Sequence, residues 1–200
     1  QQALQRSKAR GATWQVLGQQ VLMGKLNIPV IPPEELAKLE LSEYARPRVE
    51  QTQQLAPYGL PSNLDAWDGY PAARERLFAM LSAHATNPVS LAGDTHNGWA
   101  FNLTNQKGEA VGVEWGTPGI SSPGLENYVP LPPEQMQALL KGASPELVAC
   151  DTSQRGWTHV TLTPEAATAQ WRFVSSVTEP TYRTSAGEPL VTQRNARALV

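Results

Sequence analysis

Asp94-Thr95-His96-Asn97 stands where the apolar run "SLAG" breaks off and before alternation resumes in "GWAFNL". On a turn at the carboxyl end of a buried strand, residues separated by one can converge on a single point. A carboxylate with an imidazole is a donor set that iron, manganese, zinc and calcium all accept. The competing reading is a plain turn, with the Asp94 side chain bonding the backbone two residues on and His96 left exposed. Asp-x-His alone does not separate the two.

A second cluster of chemistry-bearing residues is "LDAWDGYPAAR", Leu64 to Arg74. Asp65 or Asp68 can cap a helix that opens near Pro71. Alternatively Trp67 and Tyr70 form a pocket wall, with Asp68 or Arg74 reaching the site; a guanidinium is suited to holding phosphate in two-point fashion. Spacing favours the cap. The remaining candidates have plainer explanations: His84 favours a helix dipole, His159 alternates with Trp157 and Thr161 on one sheet face, and Cys150 follows an apolar run as a small core residue. Ser121 and Ser122 in "TPGISSPG" can border a pocket, though turn chemistry explains them equally well. There is no nucleophile elbow, P-loop or dinucleotide fingerprint.

The elements that must position these residues alternate between helix and strand. Residues 1 to 10 read as a polar surface helix stopped by Gly11, and "TWQVLGQQVLM" as a strand interrupted at Gly18. Residues 24 to 66, dense in proline and glycine, read as a long excursion with one short helix at "PPEELAKLEL" and Pro33 in its first position. A helix from Pro71 carries Ala72, Leu77, Phe78, Leu81 and Ala85 on its apolar stripe, with Arg74, Glu75 and Arg76 nearer the polar side. A strand "VSLAG", a hairpin with its turn at Asn105 to Gly108, and a helix from Pro133 to Lys141 follow. The strands "ELVACD", "GWTHVTLTP" and "TAQWRFVSSV" come next, then a polar, irregular tail. The pattern is a mixed protein, α+β or α/β, with a sheet packed against at least one helix.

Composition narrows the partners. Sixteen basic and eighteen acidic residues leave a formal charge of -2, with no basic block to mark a nucleic-acid or membrane-surface footprint. The single cysteine excludes an internal disulfide and any multi-cysteine metal site within these 200 residues. No apolar run approaches the roughly 20 residues of a membrane-spanning helix. The start at Gln1, without initiator Met or signal pattern, reads as a processed or truncated parent.

Five ordered blocks carry a resemblance: "WQVLGQQVLM" at 14 to 23, "DAWDGYPAARERL" at 65 to 77, "SLAGDTHNGWAFNL" at 90 to 103, "VEWGTPGISSPG" at 113 to 124 and "DTSQRGWTHVTLTPE" at 151 to 165. Together they resemble the carboxyl-terminal half of the alkaline phosphatase D (PhoD-like phosphatase) family, within the metallophosphatase superfamily. The resemblance implies a two-sheet sandwich flanked by helices (α/β/β/α), with residues 1–177 as the carboxyl-terminal part of that domain and 178–200 as a tail. It implies hydrolysis of phosphate esters, as phosphatase or phosphodiesterase with a phospholipase D type variant, through water activated by iron(III) and calcium or another divalent metal. Asp94 and His96 map onto metal contacts, His96 toward the iron-like position, and Asn97 onto a supporting or phosphate contact. The family's earlier motifs are absent here, so the chain supplies part of a site and is expected to be nearly inactive without the missing amino-terminal half. A periplasmic or secreted location is implied as well. The alternative from another class is a non-catalytic phosphate- or metal-binding fragment, or a subunit needing a separate amino-terminal chain.

Overall fold

The computed structural model describes all 200 residues. The leading helix α1 (Gln2–Ala9) ends before Gly11, whose φ of +72° is backbone that a glycine takes without steric penalty. Strand β1 (Gln15–Gly18) stops at the expected glycine and does not resume; the chain turns and buries Leu22 and Met23 instead. In the excursion that follows, α2 (Pro33–Leu36) has proline in its first turn but is only one turn long. Helix α3 (Arg46–Leu55) had no counterpart in the sequence reading, because Val49 is its only buried residue and it has no apolar stripe.

Helix α4 (Pro71–His84) begins at the expected proline, but its buried stripe is Arg74, Phe78 and Leu81, continuing to Ala85. Ala72 is exposed, and Arg74 takes the core position expected of an apolar residue. It can do so because its guanidinium carbon lies over the Phe78 ring, 4.2 Å from the centroid, and each of its three guanidinium nitrogens has a hydrogen-bond acceptor.

The first sheet comprises β1, β2 (Pro88–Ala92), β3 (Gly98–Thr104), β4 (Ala110–Gly116) and β5 (Leu147–Asp151), in the order β1-β2-β4-β3-β5. β1, β2 and β4 are parallel, whereas β3 runs antiparallel to both β4 and β5. Helix α5 (Pro133–Ala143) leads into β5. The second sheet holds β6 (Arg155–Leu162), β7 (Ala166–Val174), β8 (Thr184–Ala186) and β9 (Leu190–Gln193). The tail expectation is thereby corrected: β8 and β9 both pair with β7, and Leu199 N donates to Asn102 Oδ1. Their shortness hides them: β8 is three exposed residues and β9 four, both ordered by pairing with β7, with Leu190 also packing on the core between the sheets.

Strand alternation sorts two cores. Trp99, Phe101 and Leu103 pack with Phe78, Leu81, Met136 and Leu140 on the helix side of the first sheet. Ala100, Val113 and Trp115 face Ala167, Ala169, Trp171 and Phe173 between the sheets. The outward residues of β6, Trp157, His159 and Thr161, are exposed, so in this chain helices cover one outer face and the other is open.

Candidate functional site

The site follows from strand order. β2 and β3 are both neighbours of β4, so the chain leaving β2 must cross the end of β4 within Gly93 to Asn97. That end is where parallel β1, β2 and β4 all finish, the setting in which open sheets gather ligand-binding loops. Three loops meet there. Gln19 N donates to Leu91 O, Gly93 N to Gln20 O, and Thr117 N to Ala92 O.

Spanning a strand in so few residues demands unusual backbone. Asp94 has φ 71° and His96 φ 61°, two left-handed L residues within three positions. Such conformations persist only where the surroundings over-determine them, and they concentrate at functional sites. Thr95 N donates to Gly93 O, and Trp99 Nε1 to Thr95 Oγ1.

The Asp94 carboxylate is exposed and makes no hydrogen bond or ion pair with the protein, so the turn is not built on an aspartate side-chain bond. His96 is half-buried, and its Nδ1 lies 2.9 Å from the carbonyl oxygen of Pro123. A carbonyl can only accept, so Nδ1 carries the proton and the Nε2 lone pair is left free, the orientation a metal-binding imidazole requires. Asn97 is 2% exposed: its Oδ1 accepts from Leu125 N and its Nδ2 has no partner. It ties one loop to another and is too enclosed in this arrangement to touch a phosphate at the surface.

The residues of the 64–74 cluster disperse. The N-cap of α4 is Tyr70, with no side-chain cap, so neither Asp65 nor Asp68 does what spacing suggested. Asp68 Oδ2 accepts from Leu26 N instead, and burial raises its pKa above the ordinary carboxylate value against the pull of that amide and of Arg74. Tyr70 is 56% exposed. Trp67 does reach the strand-end region, donating from Nε1 to Gln19 Oε1. Arg74 does not: its Nε donates to Met23 O, one Nη to Thr104 O, and the other pairs with Glu146 at 2.7 Å.

Behind the loop lies a cavity of about 370 Å³, mostly apolar, which Thr95, Asn97 and Trp99 line but Asp94 and His96 do not. No three His, Cys, Asp or Glu side chains anywhere in the chain are arranged to hold a metal ion. Cys150 is buried, its thiol pushed up to about 12 chiefly by burial, which leaves it inert as a core residue.

Sequence reasoning missed Arg155, Glu126 and Pro123. Arg155 donates to His96 O and pairs with Glu126. The only local signal was an arginine before a glycine at a strand start, "SQRGW".

The fold and site define a mixed α/β protein of two packed sheets whose loop cluster lies at the carboxyl ends of parallel strands. Within that class, the chain belongs to the PhoD-like phosphatase family, whose family model matches residues 1–171. It is 31% identical over 142 residues to alkaline phosphatase D of Bacillus subtilis (strain 168), an alignment covering 68% of this chain and 24% of that protein. A solved structure of PhoD aligns over 100% of this chain and 33% of its own length, with TM-score 0.67 and 24% identity, a likeness in fold. The chain therefore spans a quarter to a third of these relatives.

Proposed function

We propose that this chain forms part of the active site of a longer metal-dependent phosphoesterase, of alkaline phosphatase or phosphodiesterase type. In this reading it belongs to the carboxyl-terminal half of a metallophosphatase-type α/β/β/α sandwich. The observation that carries the proposal is the strand-end loop, with Asp94 unpartnered at the surface and His96 holding Nε2 free through its Nδ1 bond to Pro123. Family membership supplies the chemistry class.

The residues fit a metal in part. An anionic oxygen and a neutral imidazole nitrogen suit iron(III) with calcium, or another divalent pair, yet two donors do not complete a centre. The others have to come from outside these 200 residues. When bound, such ions polarise phosphoryl oxygens and activate water. This chain's own part is to present the Asp94 oxygen and His96 Nε2, to fix the imidazole tautomer through Pro123, and to carry Trp67 and Gln19 at the rim. The chain alone is accordingly nearly inactive.

One observation favours a second reading: the lack of any three-donor arrangement suits a subunit whose site is completed by a separate chain. Substitution in the full-length protein tests the enzyme. Asp94→Asn and His96→Ala lower metal content and turnover of a bis-aryl phosphodiester together, by at least about 100-fold in rate, the upper end of what losing even an outer partner costs. Wild-type metal content and rate in both variants refute the assignment.

A further inference from the structure

We propose that Arg155, acting with Glu126, is a positioning residue that latches the Asp94–His96 loop into its metal-presenting conformation; this rests on the phosphoesterase reading above. Arg155 opens β6 in the second sheet, yet the residue is 8% exposed and its side chain reaches across to a loop of the first. One guanidinium nitrogen donates to the carbonyl of His96, itself left-handed, and another pairs with Glu126 in the 3-10 turn Leu125–Asn127.

The same stretch, 123 to 126, supplies two further clamps on the loop's far end. Pro123 O holds His96 Nδ1, and Leu125 N holds Asn97 Oδ1. The ring and the neighbouring amide of the proposed ligand are thus fastened to one segment and its backbone carbonyl to Arg155, which also ties that segment to the second sheet through Glu126. Gly124 stands at the junction: a Cβ there would strike the Arg155 guanidinium, the Asn97 amide and the Glu126 carboxylate. Asn97 Nδ2 and Glu126 Oε2, a donor and an acceptor beside that same glycine, are both buried without partners.

Stability alone does not account for this cluster. A buried ion pair replaced by apolar side chains of similar volume is often neutral or favourable to folding, so what the pair contributes is geometry. A lysine at 155 restores charge but not the fork that reaches two acceptors at once.

The test uses the full-length protein with Arg155→Met/Glu126→Leu, Arg155→Lys and, independently, Gly124→Ala. In the metal-free state, amide hydrogen exchange of residues 93–98 rises about tenfold in the double variant and in Gly124→Ala, while residues 166–174 keep their protection. Affinity for added metal falls at least about tenfold, the scale expected when an outer partner of a ligand is lost. kcat falls with KM held within about twofold. Arg155→Lys keeps the wild-type thermal midpoint but not kcat. Unchanged exchange at 93–98 overturns the latch, and faster exchange with unchanged metal affinity and kcat overturns its functional role. Failure of the phosphoesterase reading shows separately, as metal and turnover indifferent to Asp94→Asn and His96→Ala, and the metal-free exchange still decides whether the latch exists.

Discussion

At the scale of single residues, the partner of one polar atom decides what a side chain can do. The bond from His96 Nδ1 to Pro123 O selects the tautomer, and Asp94 stays free because nothing nearby takes its oxygens. Asp68 illustrates the opposite outcome, its carboxylate drawn inward by the amide of Leu26. Burial raises its pKa from 3.8, so the folded state holds the proton more tightly than the unfolded chain. Its contribution to stability is then fully present below about pH 3.8 and is lost as pH rises through the folded value. Asp68→Asn does not titrate, so its thermal midpoint falls furthest behind wild type at acid pH and closes the gap by pH 8; a gap that widens with pH contradicts this. The Asp94–His96 turn was legible as a break at a strand end, because an apolar run stopping at Gly-Asp is a local pattern. Arg155 was not, lying 59 residues from His96 and 29 from Glu126, a juxtaposition that only the packing of two sheets creates.

Among the elements, an irregular strap, residues 23–27, is held by side chains rather than by a ladder. Successive amides from Met23 to Asn27 donate to side chains alone: Met23 and Gly24 to Glu114, Lys25 to Glu146, Leu26 to Asp68 and Asn27 to Ser144 Oγ. Glu114 also accepts from Ser90, and burial raises its pKa even against those donors. Arg74 is the cation of this network, joining α4 to the strap through Met23 O and to β3 through Thr104 O. Arg74→Ala strands Glu146 and empties a core position, and unfolding in urea is expected to lose about 3–5 kcal/mol. A loss under 1 kcal/mol would mean the network is slack. Placing Arg74 on the polar side failed, because periodicity scores residue type and not the partners a buried guanidinium finds. The start of α4 was legible for a local reason, proline at its first position.

For the molecule as a whole, the two-core arrangement was partly readable. Alternation in β3 and β7 marks residues that face helices or the other sheet, but β8 and β9 draw their order from β7 and left no trace of their own. The outer face of β6 is open, and the chain spans 24% and 33% of the relatives it matches. The most direct measurement is anomalous X-ray scattering from crystals of the full-length, metal-loaded protein. The account predicts one metal peak, or two adjacent ones, within about 2.0–2.6 Å of His96 Nε2 and of an Asp94 oxygen, with Pro123 still holding Nδ1. Metal peaks elsewhere, with both side chains left in solvent, would contradict it.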